Sequence, residues 1–219
     1  MNRFSMTSRF LCLVLFLFPA AAVAKGKVKV FILVGQSNME GYGQVRSLEH
    51  LGNHPRYGHL LKKLKNSDGS WAVRKDVSVA WKSREGKKKG PLSVGWGASD
   101  QQLGPELMFG TIMGELYEEH VLLIKVAWGG KSVWCDFRSP SAGEMSWDEK
   151  RVLKRDNFLK PGLYYGRLVA EIKEGLANIE NLVPGYDGQG YELGGLAWFQ
   201  GWNDFSEWHL QLDKKPVGL

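Results

Sequence analysis

The sequence predicts an α/β fold built on a parallel sheet, from three apolar runs and the helical patterns between them. Residues 28–34 (VKVFILV), 121–127 (VLLIKVA) and 193–199 (LGGLAWF) are short and continuously apolar, the pattern of strands covered on both faces. Each runs at its C-terminal end into glycine and polar residues. Two helical stretches separate the three runs, and strand–helix–strand–helix–strand with crossover connections means parallel pairing.

The first strand follows Gly26 and ends at Gly35. The first helix opens at Pro105, a residue suited to the first helical position, and places Leu107, Met108, Thr111, Ile112 and Leu116 on one face. The second strand ends at Gly129-Gly130. The second helix opens near Pro161, repeats Tyr165, Leu168, Val169, Ile172, Leu176 and Ile179 with a 3.6-residue period, and is closed by Pro184-Gly185. The third strand ends at Gln200-Gly201. Residues 41–104 are less regular and are expected to decorate one end of the sheet. No internal repeat is visible.

A chain of 219 residues suffices for one domain with its own core. Hydrophobic residues at 43% and charged residues at 24% exclude a disordered, collagenous or coiled-coil chain. Residues 1–24 read as a secretory signal peptide: Arg3 and Arg9, then the apolar run Phe10–Phe18, then Ala22-Val23-Ala24 as the small-x-small cleavage signal. The run is short of the ~20 apolar residues a membrane span needs. The expected mature domain is therefore residues 25–219, secreted or periplasmic and free of the membrane once cleaved.

Losing the leader lowers the formal charge of +6 by two, a modest excess that does not suggest a nucleic-acid partner. The main basic cluster, Lys82–Lys89 (KSREGKKK), lacks interleaved aromatics and reads as a solvated loop. Cys12 belongs to the leader, so Cys135 stands alone and no internal disulfide is expected. The histidines at 50, 54, 59, 120 and 209 do not cluster in a metal-binding pattern, the first three reading as loop residues; no metal and no cofactor are expected.

In open α/β sheets the active crevice lies beyond the C-terminal ends of the strands. Three loops should therefore converge: Gln36-Ser37-Asn38, Gly129-Gly130-Lys131-Ser132, and Gln200-Gly201-Trp202-Asn203-Asp204. Ser37, two residues beyond a buried strand, can present its hydroxyl there or can cap a helix. Gly130 offers a backbone N–H where no side chain blocks access, and Asn203 offers a side-chain N–H. With the Ser37 N–H these make three donors for one oxyanion, a device of acyl transfer. The plainer alternative is that the glycines turn the chain and Asn203 caps a helix.

Taken together, GQSNM at 35–39, AWGGKS at 127–132 and WFQGWND at 198–204 resemble the SGNH (GDSL-like) hydrolase superfamily. Within it they resemble the carbohydrate-esterase branch of sialate O-acetylesterases and acetylxylan esterases. The resemblance spans roughly residues 28–205. It implies a flavodoxin-like three-layer α/β/α sandwich and serine ester hydrolysis without a metal. It implies Ser37 as nucleophile, with Gly130 (or its neighbour Gly129) and Asn203 completing the oxyanion hole. Gln36, Gln200 and Asp204 would touch substrate or hold the loops, and Gly104-Pro105-Glu106 recurs in the branch near the pocket. Trp202-Asn203 departs from the Gln-Gly-Glu-x-Asp of many members.

The family's general base comes from an Asp-x-x-His block near the C-terminus, and this sequence has none. His209, with Asp204 or Asp213, is the nearby candidate, although its spacing does not match. The expectation is a chain lacking the last strands of a five-stranded sheet and exposing an apolar edge. The expected function is that of an exported serine esterase removing O-acetyl groups from carbohydrate of sialate or xylan type. The alternative is a non-catalytic fold that binds glycan or is inert. Trp96, Trp128, Trp134, Trp198 and Trp202 are candidates either for sugar-stacking surfaces or for packing.

Overall fold

Val28–Gly35 forms the first strand, β1, in a computed structural model that describes residues 26–82, 86–145 and 160–205. The short helix α1 (Ser37–Glu40) follows at once. Next come β2 (Gly43–Gln44), α2 (Leu48–Leu51), α3 (Leu61–Leu64), β3 (Arg74–Lys82), β4 (Lys87–Leu92) and β5 (Gln102–Leu103). Then α4 (Glu106–Leu116), β6 (Val121–Ala127), α5 (Leu163–Ala177) and β7 (Tyr191–Phe199) complete the described elements. Strands β4-β3-β6-β1-β7 make one five-stranded sheet, while β2 and β5 pair separately.

The three apolar runs are the three strands expected of them, mutually parallel with β1 between β6 and β7. Register is what makes this arrangement useful. Gly35 pairs with Ala127 on one side and with Phe199 on the other, so the three strands end in one row and release their loops together.

Residues 41–104 do more than decorate. They supply β3, parallel to β6, and β4, which returns antiparallel along β3 at the sheet edge. Alternation of burial in β3 is poor at its start, and Pro91 and three lysines occupy β4, so neither segment carries the apolar signature of a strand. Pro and Lys suit an edge strand, where backbone N–H groups face away from the ladder. The described sheet thus has five strands, four of them parallel and β4 antiparallel, with β7 as an open edge. The Lys82–Lys89 stretch is not a loop throughout. Lys82 ends β3 and Lys87–Lys89 open β4, with Lys82 paired to Glu171, Lys87 to Glu174 and Lys88 to Asp100.

Helices lie on both faces of the sheet. On one, Leu168, Ile172 and Leu176 of α5 pack on Val30, Ile32, Val34, Leu122, Ile124 and Val126. On the other, Leu107, Phe109 and Met113 of α4 pack on Phe31, Leu33, Val77, Val79 and Leu123. The α5 face agrees with its periodicity except that Tyr164, not Tyr165, is the buried tyrosine. The α4 face is rotated from the one predicted. Its buried residues are Glu106, Leu107, Gly110 and Thr111, while Ile112 and Leu116 are exposed. Glycine at 110 is needed because Leu92 and Leu123 press against that point, and Glu106 is inside because a lysine meets it there.

β7 departs from the expectation of a strand covered on both faces. It is the edge opposite β4, and Leu193 and Leu196 are each more than half exposed. Trp96 and Trp128 are core residues; Trp198 and Trp202 are exposed. Cys135 is a buried free thiol. Residues 1–24, His209 and Asp213 lie outside the described residues.

Candidate active site

The three loops at the row of strand ends are joined by hydrogen bonds. Asn38 Nδ2 of the first loop donates to the Gln200 carbonyl of the third at 2.9 Å. Gln200 Nε2 donates to the Lys131 carbonyl of the second at 2.8 Å and also to Asp204 Oδ2. Asp204 Oδ1 accepts the N–H groups of Val133 at 2.8 Å and Trp134 at 3.0 Å. The second loop returns to the first: Trp128 N–H donates to the Gly35 carbonyl and Gly129 N–H to Glu40 Oε2 at 3.1 Å. Convergence of the loops, argued from strand ends alone, is what the chain does.

Close approach at Gly35 makes this possible. A Cβ there would lie 2.2 Å from the Phe199 carbonyl oxygen and 2.8 Å from Met39 Cβ. Any side chain would push the first loop off the third. Ser37 is then the first residue of α1, with Gln36 in the capping position but making no side-chain cap bond. The Ser37 hydroxyl donates to Gln36 Oε1 at 2.7 Å. Ser37 therefore does not serve as a helix cap. It lines a cavity of about 590 Å³ whose walls include Asn38, Tyr42, Leu103, Pro105 and Phe199.

The other site candidates fall into distinct places. Gly130 has φ +74 with open space where a Cβ would stand, and no partner for its N–H is recorded among the described residues. Gly129 N–H is spent on Glu40, so of the two glycines only Gly130 has an uncommitted amide. Asn203 is half-buried in the short helical turn after Gly201. Gly130 and Asn203 sit on loops tied to that of Ser37 but outside the lining of the Ser37 cavity. Gln36 is fully buried, with Nε2 lacking a partner, so it backs Ser37 instead of reaching a substrate. Gln200 and Asp204 have their side-chain polar atoms committed to the loops, Gln200 Oε1 accepting from Trp198 Nε1 at 3.0 Å. They hold the loops together, one of the two roles expected of them.

Sequence reasoning missed the support behind this site. Lys125, in the middle of an apolar run, is wholly buried. Its Nζ donates to Glu106 Oε2 at 2.7 Å, to the Trp96 carbonyl at 2.7 Å and to the Glu40 carbonyl at 2.9 Å. It also lies 4.3 Å from the centre of the Trp81 ring. Burial lowers the Lys125 pKa, and the Glu106 carboxylate pulls it back up. Glu106 Oε1 accepts the Gly104 N–H at 2.8 Å. One ammonium thus ties the end of α1, the turn at Trp96 and the cavity wall at Gly104-Pro105. The signal was in the sequence: a lysine inside VLLIKVA cannot be buried without an acid partner.

Another serine–histidine contact exists at the opposite end of the sheet. Ser78 Oγ and His120 Nε2 are 2.9 Å apart, and Asp76 is near enough to raise the His120 pKa, though burial wins and lowers it. Asp76 is bound to Arg74, and His120 precedes the start of β6, at the end of the sheet away from Ser37. It is a packing contact far from the strand C-termini.

The model of the family described as "Carbohydrate esterase, sialic acid-specific acetylesterase" matches residues 27–212. Among solved structures, one of an Arabidopsis thaliana protein is similar at 16% identity with a TM-score of 0.41, covering 81% of this chain. The chain spans 59% of the length of that structure. No curated protein matches. With nearly the whole described domain inside the matched span, the chain belongs to the sialic acid-specific acetylesterase family of carbohydrate esterases.

Proposed function

We propose that the chain is an exported serine esterase that removes O-acetyl groups from carbohydrate, with Ser37 as its nucleophile. The observation that carries the reading is the joining of three loops around Ser37 at the strand C-termini by Asn38, Gln200, Asp204 and Glu40. That frame holds a hydroxyl beside a cavity of about 590 Å³, a volume suited to a sugar-sized group. Ser37 Oγ attacks the acetyl carbonyl, the sugar oxygen leaves with a proton, and water then releases acetate from the acyl-enzyme. The Ser37 and Gly130 N–H groups and the Asn203 side chain stabilise the oxyanion. Trp198 and Trp202, both exposed near the third loop, supply flat surfaces for sugar rings.

A base must take the Ser37 proton. Gln36 fixes the hydroxyl but cannot accept a proton, and no histidine lines the cavity among the described residues. His209 is the residue to test in that role. The signal at 1–24 directs the domain to the periplasm or the exterior, where acetylated glycans are found.

A second reading, a glycan-binding fold without turnover, draws on the same contact of Ser37 with an amide in place of a base. Acetate release from O-acetylated sialoglycan, acetylated xylan and 4-nitrophenyl acetate separates the two. The esterase reading expects release by the native chain and loss in Ser37→Ala. Retained glycan binding with no release by either protein supports the second reading.

A further inference from the structure

We propose that Glu40 is a positioning residue for the oxyanion loop, holding Gly129 so that Gly130 alone is presented to the reacting carbonyl. The proposal deepens the esterase reading and rests on it. Glu40 closes α1 three residues after Ser37 and is 3% exposed. One oxygen of its carboxylate, Oε2, accepts both the Gly129 N–H and the Tyr42 hydroxyl, each at 3.1 Å. Its backbone carbonyl is fixed by the Lys125 ammonium, which is fixed in turn by Glu106.

The geometry has two consequences for the chemistry. First, Gly129 and Gly130 follow each other at the end of β6, and both carry an N–H that a developing oxyanion would attract. Drawing the Gly129 N–H onto a carboxylate fixes that peptide, and the next N–H, that of Gly130, stands uncommitted among the described residues beside open space. Second, a carboxylate near a forming oxyanion would raise the barrier if left uncompensated. Lys125 Nζ donates to the Glu40 backbone carbonyl at 2.9 Å, so a positive charge stands behind the residue that orients the loop. Ser37 and the oxyanion loop are therefore set by one residue, the side chain of Glu40 reaching the loop while its backbone continues the helix that starts at Ser37.

The test compares Glu40→Ala and Glu40→Gln with the full native chain. Glutamine retains an acceptor for the Gly129 N–H; alanine does not. Amide hydrogen exchange is read at Gly129 and Gly130, with the β6 amides as an internal control for folding. The expected result is exchange at Gly129 at least about tenfold faster in Glu40→Ala, near native in Glu40→Gln, with β6 unchanged. In acetyl-ester hydrolysis, kcat should fall roughly 10- to 100-fold in Glu40→Ala with KM within about threefold, and Glu40→Gln should restore most of kcat. Unchanged exchange at Gly129 in Glu40→Ala overturns the proposal whatever the activity, as does a loss confined to KM. Hydrolysis that persists in Ser37→Ala overturns instead the esterase reading, and the exchange measurement still reports whether Glu40 holds the loop.

Discussion

Replacing Lys125 by methionine keeps the volume and removes the buried ammonium. The consequence follows from what the ammonium touches. Glu106 would be left as a wholly buried carboxylate, and the Glu40 and Trp96 carbonyls would each lose a donor. Removing one partner of a buried ion pair costs about 3–5 kcal/mol. Against the ~5–15 kcal/mol of a typical domain, that is a large fraction. The sign of a second change distinguishes this account from general core damage. Glu106→Gln alone should destabilise, because it leaves the ammonium without its counter-charge. In the Lys125→Met background it should stabilise by about 1–3 kcal/mol, because glutamine still accepts from Gly104 N–H and carries no charge.

Urea unfolding at pH 7 with tryptophan fluorescence reads all four proteins. A Lys125→Met cost below about 1 kcal/mol would refute the reasoning, as would equal effects of Glu106→Gln in the two backgrounds.

Other outcomes follow from the same coordinates. Gly35→Ala places a methyl against the Phe199 carbonyl, a backbone atom held in the ladder, so thermal unfolding should show a loss of about 1–3 kcal/mol together with loss of esterase activity. Asp204→Asn sets an amide donor or a lone acceptor against Gln200 Nε2 and the Val133 and Trp134 N–H groups, so activity should fall more than stability, measured as kcat beside the urea midpoint. His120 has its pKa lowered by burial, against the opposing charge of Asp76. The unfolded chain then binds the proton first as pH drops through about 6.5, so stability declines on acidification from there and levels off below the folded pKa. Urea midpoints between pH 7.5 and 5 should show that part of the slope removed in His120→Gln.

Much of this site was legible before any coordinates. The strand ends, marked by Gly35, Gly129-Gly130 and Gln200-Gly201, announced where three loops would meet, because a continuous apolar run that stops at glycine is a buried strand entering a crevice. What was not legible has physical causes. β3 and β4 are an edge hairpin whose lysines pair with α5 and Asp100, so their sequence reads as a solvated loop. The buried face of α4 was misread because Glu106 and Gly110, polar and small, occupy it while Ile112 and Leu116 face outward. Gln200 and Asp204 looked like substrate ligands because polar residues beside a site can either bind or brace, and only the hydrogen bonds decide. VLLIKVA shows that Lys125 needs an acid partner, but the partners of Lys125 and Glu40 lie some 20 and 90 residues away, and no local pattern names them.

The claim that Ser37 is the nucleophile is tested most directly by trapping the acyl-enzyme. The native chain is mixed with excess acetyl ester, quenched in acid during turnover, digested and weighed by mass spectrometry. The account predicts one acetyl group on the peptide containing Ser37, absent from Ser37→Ala, whose acetate release is also lost. Turnover with Ser37 unmodified, and equal release by Ser37→Ala, would contradict it.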